Sequence, residues 1–584
     1  MYKIWRSPAS PFGISTKTIN TTSAESCTAK DSYTDEVLAD IAANGFNGIW
    51  VHTMLHHVTT HPDFPEFGKE AEKHLAALRV LMERAAKYGI KVYLYMQPPR
   101  GIRSSETEFW QHHADVAGQV ETFQEEDDQT KFYEITCFCT STAKVRNYLT
   151  EAYAQLSAAL PELGGYLFIT ASEYPSHCYS RRGRVIGAMG NTMEIPCTCP
   201  RCHERSGADV VVELIQAIRD GVRRSSKTHL LGFWNWSWGM YTDDTTEIVR
   251  RLPHDCALMI GFERGGKQLI LGKERVIDEY ALSYAGPSEE FIASFHAARE
   301  NQLQILAKLQ LGTTHEFGNV VNLPLLSSIY AKANFVRTEH LDGFMGCWNF
   351  GNQMSANTAG FNFFLREDCP RDDEEALNAF AAKYFPGCDT KLVASAWKAF
   401  GDAMRHSYPF SLSFLYAGPC NWALKKIPYP APLADTPGGR SWLPDPRGDR
   451  LEESMIDFSL DEIIRGFSEI VPIWEQGVNL LHQGLRSSSS PHVSQELGSA
   501  EICLAAWKSV LALYRIYQLR LDWNDTKRPE YDAIIRSERE NLYRVLPYVA
   551  ADPRQGYHAE AHAYMFSAQE LQEKLKELDA QLAD

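Results

Sequence analysis

From near the N-terminus to about residue 350, short apolar runs alternate with amphipathic helical patterns, and the alternation repeats eight times. Apolar runs of this kind read as strands buried on both faces. Connections long enough to hold a helix place such strands in a parallel sheet with the helices outside it. Eight repeats predict closure into a (β/α)8 barrel, the TIM-barrel class of α/β fold. An open doubly wound sheet is the alternative, but no G-x-G-x-x-G follows any of the runs.

The expected strands are a weak one from Phe12 to Ile19, then FNGIWVH to His52, KVYLYMQ to Gln97, and GGYLFITASE to Glu173. They continue with LLGFWNWS, ALMIGFE to Glu263, ILAKLQLGTTHEF through Glu316, and GFMGCWNF. Helices are expected from Asp35 to Ala43 with Gly45 as the stop, and from Glu70 to Tyr88 with Gly89 as the stop. Val145, Leu149, Ala152, Tyr153, Leu156 and Leu160 recur at helical spacing; Ser141 or Thr142 can cap that helix, and Pro161 ends it. Further helices fit Asp209 to Arg224, Glu289 to Gln302 and Leu325 to Thr338. The barrel is therefore assigned to 1–365 and a mainly helical C-terminal domain to 366–584, the latter typified by the pattern from Ile502 to Leu519. Within that domain SYPFSLSFLYAGPCNW is too aromatic for a solvated linker, and packing at the barrel mouth is expected.

A net charge of −16 without a Lys/Arg stripe argues against a nucleic-acid partner. No apolar run approaches the roughly 20 residues that span a bilayer, so no membrane partner is expected. The 13 cysteines are odd in number and several fall in expected strands, which suits a reducing cytoplasm better than a disulfide framework. A homo-oligomer stays open.

Catalytic residues of such barrels stand at the C-terminal ends of strands. Glu173 and Glu316 close the fourth and seventh runs, and two carboxylates across a barrel mouth are the machinery of glycoside hydrolysis. Along the seventh run Lys308, Gln310, Thr314 and Glu316 share the face opposite Ala307, Leu309 and Leu311. His52, Gln97, Asn235, Trp236, Glu263, Trp348 and Asn349 stand at other strand ends, as hydrogen-bonding or stacking groups for a sugar. Trp234, Trp236 and Trp238 at alternate positions suggest an aromatic-lined cleft.

The stretch FCTSTAKVRNYLTEAYAQLSAALPELGGYLFITASE resembles the segment of β-hexosaminidase-type barrels that ends in an Asp-Glu pair. The resemblance makes Glu173 the general acid. The Asp position holds Ser172, so a protein nucleophile replaces the substrate's acetamide in the favoured reading. An acid on strand four and a nucleophile on strand seven resemble the large retaining clan of barrel glycosidases, which implies Glu173 as acid/base and Glu316 as nucleophile; Trp348 matches that clan's Trp at strand eight. The expectation is a retaining exo-β-glycosidase of carbohydrate, with N-acetylhexosaminidase or a non-catalytic sugar-binding barrel as alternatives.

Cys178, Cys197, Cys199 and Cys202 lie within 25 residues, in a loop spanning about 174–205. Four thiolates at this spacing can close a tetrahedral structural zinc site with no open position for water. No organic cofactor is expected.

Overall fold

The computed structural model describes all residues but 11–18, 125–129, 172–173, 187–191, 241, 243, 431–432, 434–435, 445–447 and 584. Eight parallel strands close into a barrel: β1 (Tyr2–Trp5), β2 (Gly48–His52), β3 (Lys91–Met96), β4 (Gly165–Ile169), β5 (Leu230–Trp234), β6 (Ala257–Gly261), β7 (Gln304–Lys308) and β8 (Gly343–Met345). Each strand pairs with its neighbours in sequence, and β1 pairs with β8 through Tyr2↔Gly343 and Ile4↔Met345 to complete the ring. Strands β2, β4 and β5 are buried at every position, as expected of strands covered on both faces.

Six of the eight strands fall inside their expected runs, and β7 overlaps its run but begins one residue earlier, at Gln304. The first lies elsewhere: β1 is the short segment YKIW, while the expected Phe12–Ile19 run lies outside the described residues up to Thr18. The seventh run is also shorter than expected, since β7 ends at Lys308 and the residues through Glu316 are no longer strand. The alternation holds at Lys308 itself. Its ammonium sits 5.7 Å from the Trp234 ring on β5, with β6 between the two strands, so both side chains point inside the barrel.

At the closed end Tyr93 of β3 fills the interior. A Cβ on Gly164 would lie 2.6 Å from its ring and one on Gly48 2.7 Å, so the glycines are the space the ring occupies. The helices follow the sequence patterns closely. Asp35–Ala43 and Ala71–Ala86 stop ahead of Gly45 and Gly89, whose φ values of 89° and 69° favour glycine. Ala143–Ala159 begins at Thr142, whose hydroxyl accepts from the Val145 N–H at 3.4 Å. Gly207–Ser225 begins at Ser206, which accepts from Asp209 N at 3.0 Å. Connections between strands also carry β-structure that no run in the sequence announced: a three-stranded sheet of Ile102–Arg103, Ala117–Gln124 and Phe132–Phe138, and a hairpin of Gly266–Ile270 with Lys273–Ile277.

By internal contacts the chain forms two units that interleave in sequence. The first comprises Met1–Gly261, Phe291–Lys308 and Leu341–Met345, and it contains all eight barrel strands. The second comprises Phe262–Glu290, Leu309–His340 and Gly346–Asp584. Its core is aromatic, with Phe400 4.4 Å from Trp474 and Trp474 5.8 Å from Trp507, between the helices Thr390–Ser407, Leu460–Leu485 and Val493–Arg520.

Candidate active site

In the first unit the C-terminal strand ends carry the expected polar groups. His52 ends β2, and its backbone N–H donates to Glu25 at 3.0 Å. Glu25 also takes the Arg6 guanidinium at 2.8 and 3.1 Å, a buried ion pair that fixes this strand end. Burial, with the nearby Arg100 and Arg6 charges, holds the His52 ring well below the usual histidine range, so it is neutral. Gln97 follows β3 and accepts from Arg100, whose guanidinium lies 3.4 Å over the Tyr174 ring. Arg100 was not among the expected residues; it orients Gln97.

Beyond β5, Asn235 accepts the Gly261 N–H at 3.1 Å and so ties the ends of β5 and β6 together. Of the three tryptophans here, Trp234 and Trp238 are 1% and 0% exposed. Trp238 donates to the Thr170 hydroxyl at 2.8 Å, so it is core. The expected aromatic lining reduces to Trp236, which is half-buried and 5.5 Å from the Trp234 ring. Ser172 and Glu173 lie outside the described residues.

The second unit holds the other carboxylates, and counting their donors separates them. A carboxylate offers about four lone-pair sites. Glu316 is 0% exposed, and four donors converge on it: Leu282 N at 2.7 Å, Ser283 N at 3.2 Å, the Ser283 hydroxyl, and the Thr314 hydroxyl at 2.5 Å. Burial raises its proton affinity and the donors from Ser283, Thr314 and Leu282 oppose that rise. A saturated, enclosed carboxylate clamps the 282–283 segment to the 314–316 turn. Expected as a nucleophile at a strand end, Glu316 instead lies past the end of β7, with donors at all of its in-plane lone-pair sites.

Glu263 is 1% exposed and pairs with Lys332 at 2.6 Å. The same oxygen accepts Gln310 N at 3.0 Å, while Lys332 also donates to the carbonyls of Ala281 and Gln310. This ion pair ties Phe262–Glu263, Ala281 and Gln310 to the helix Leu326–Thr338. The expected sugar-binding role gives way to an internal cross-link.

A third carboxylate fits a site better. Glu279 follows the hairpin Gly266–Ile277 and has two donors, Tyr280 N at 2.9 Å and the Tyr416 hydroxyl at 2.5 Å, one on each oxygen. Among the described residues half of its lone-pair capacity therefore remains. The Tyr416 ring stands edge-on to Trp442 at 5.2 Å and to His315 at 5.3 Å. His315 lies 4.5 Å from the Phe350 ring, and burial pushes its imidazole down to about 4, so it is neutral; its Nδ1 has no hydrogen bond among the described residues. Two residues before Phe350, the half-buried Trp348 precedes Asn349, whose buried Oδ1 has no hydrogen bond among the described residues. Beside Glu279, burial and the neighbouring carboxylate push Asp278 up to about 7. Half-buried aromatic faces, one half-satisfied carboxylate and unbonded polar atoms are what a sugar-binding cleft requires. Tyr416 belongs to the aromatic segment SYPFSLSFLYAGPCNW singled out above, but nothing in the sequence signalled Asp278, Glu279 or Trp442, because none of them ends an apolar run.

No family model and no curated protein matches the chain. Among solved structures, a GH138 enzyme targeting pectin rhamnogalacturonan II matches 100% of this chain and 82% of its own, with a TM-score of 0.53 at 10% identity. A GH5 cellulase from a Bacteroidetes-affiliated source matches 63% of this chain and 92% of its own (TM-score 0.37, 12% identity). A glycoside hydrolase family 5 enzyme from Prevotella bryantii, solved with a xyloglucan tetradecasaccharide, matches 62% of this chain and 94% of its own (TM-score 0.36, 9% identity). The first match extends the likeness in fold over both units.

Proposed function

We propose that this chain is a glycoside hydrolase acting on a polysaccharide or an oligosaccharide derived from one. The observation that carries the reading is the closed eight-stranded parallel barrel followed by a helical region, a fold matched along the whole chain by an enzyme that targets pectin rhamnogalacturonan II. The retaining, exo-acting and β-specific reading drawn from the sequence is kept as the working form of the proposal. In it Glu173 serves as acid/base, protonating the leaving oxygen and then activating water.

Glu279 replaces Glu316 as the proposed nucleophile. An attacking carboxylate must be held in one orientation and still have a lone pair for the anomeric carbon. The Tyr416 hydroxyl and the Tyr280 N–H hold Glu279 while leaving two sites open; Glu316 has none. Trp348 and Trp442 offer stacking faces, Asn349 Oδ1 can accept from a sugar hydroxyl, and His315 Nδ1 can accept or donate according to its tautomer.

The test is a screen of the full-length protein on rhamnogalacturonan II oligosaccharides and aryl α- and β-glycosides, with Glu173→Gln and Glu279→Gln beside wild type. Proton NMR of the first product anomer reports retention or inversion. The proposal expects wild-type cleavage with retention, and a loss of about 10²–10⁴-fold in the Glu173→Gln protein. Full activity in both variants would sink the site assignment, and wild-type inertness on all substrates would favour a barrel that only binds sugar.

A further inference from the structure

Five cysteines of the first unit gather in one buried cluster with Tyr179 and Val210. Four of them, Cys139, Cys178, Cys199 and Cys202, place their sulfurs within 4.8 Å of one another. Cys139 Sγ is 3.6 Å from Cys202 Sγ and 3.8 Å from Cys199 Sγ. A zinc ion with Zn–S bonds of about 2.3 Å sets tetrahedral sulfur–sulfur edges of about 3.8 Å. A disulfide would bring a pair to about 2.05 Å. The observed spacing is that of four ligands around one central ion.

We infer that Cys139, Cys178, Cys199 and Cys202 form a structural site for a single tetrahedral metal ion, zinc by its ligand chemistry. The set differs from the one expected in sequence: Cys139, far upstream and next to the strand Phe132–Phe138, takes the place of Cys197. Spacing within the 178–202 loop could not show this, because the fourth ligand comes from another sheet.

The surroundings suit an anionic tetrathiolate centre. The Arg201 Nε donates to Cys139 Sγ at 3.3 Å, and the same guanidinium reaches the Ala117 carbonyl at 2.5 Å. Ser141 Oγ lies 3.2 Å from Cys202 Sγ and is itself held by Arg205 at 2.5 Å. Such outer partners fix thiolate ligands and offset their charge. Gly118 supplies space, since a Cβ there would meet Cys178 Sγ at 2.6 Å. The turn from Cys199 to His203 is closed by Cys202 N and His203 N donating to the Cys199 carbonyl at 3.0 and 2.9 Å. One step before Cys178, His177 Nε2 bonds the Thr170 carbonyl just past β4. The metal would thus fasten the loop after β4 to the sheet after β3.

The experiment measures metal by mass spectrometry in full-length wild type, Cys139→Ser and Cys197→Ser, all purified from zinc-supplemented cells without chelator. Denatured samples titrated with a thiol reagent, with and without prior reduction, report any disulfide. The expected result is about one zinc per chain in wild type and Cys197→Ser, near-complete loss in Cys139→Ser, and 13 reactive thiols in unreduced wild type. Should Cys139→Ser misfold, cobalt exchanged into wild type supplies the second readout, with the thiolate-to-cobalt charge-transfer band of a tetrahedral site. Metal kept in Cys139→Ser and lost in Cys197→Ser would overturn the ligand set. Metal-free wild type, or disulfides among these thiols, would overturn the site.

Discussion

At the scale of single residues, the number of donors a carboxylate receives separates structural from chemical groups better than its position in the sequence. Glu316→Gln puts an amide N–H₂ among four donors and orphans two of them. It should cost about 2–6 kcal/mol of stability, read as a lowered chemical-denaturation midpoint, while the folded fraction keeps its turnover. Lys332→Met leaves Glu263 buried without its ammonium and should cost about 3–5 kcal/mol in the same assay. Glu496 gives a pH test. Burial pushes it up to about 7 against the donors from Trp397 and Asn322, both at 2.8 Å. Its folded-state value exceeds its unfolded one, so its contribution to stability is fullest below about 4.5 and falls as pH rises toward 7. Glu496→Gln should flatten that fall because an amide does not titrate, while Asn322 Oδ1, without a hydrogen bond among the described residues, can turn to accept from the new amide. A stability–pH profile unchanged by the substitution would count against this reading.

At the scale of elements, the sequence was most legible where one period repeats. Seven strands and the main outer helices of the barrel lie where apolar runs and caps put them, because burial on both faces of a strand or on one face of a helix writes itself into spacing. The cap at Thr142 illustrates this: its hydroxyl bond to Val145 N predicts a loss of about 1 kcal/mol for Thr142→Ala. Legibility ended where the chain left regular structure. The run through Glu316 kept an alternating, apolar pattern past Lys308 because the turn that follows is buried too, so strand and buried loop looked alike. YKIW was too short to register as a strand, and Glu279 and Cys139 owe their roles to partners more than 35 residues away in sequence.

At the scale of the whole molecule, the second unit draws on segments from between the barrel strands. Gly318 N donates to Asn421 Oδ1 at 2.8 Å, Val321 N to Gln555 at 3.1 Å, and Tyr408 to the Glu316 carbonyl at 2.9 Å. A fragment ending at residue 365 would orphan these buried groups. It is expected to be insoluble or molten, shown by lost near-ultraviolet circular dichroism, whereas a cooperatively folded fragment would contradict the interleaved division.

The proposed hydrolase mechanism is tested most directly by chemical rescue. Glu279→Ala and Glu316→Ala would each be assayed with and without azide, on a substrate that wild type cleaves. Azide can take the place of a missing nucleophile but not of a loop clamp. The account predicts that Glu279→Ala is nearly inactive and that azide restores turnover, releasing a glycosyl azide of inverted configuration. Rescue of Glu316→Ala instead, or an unimpaired Glu279→Ala, would contradict it.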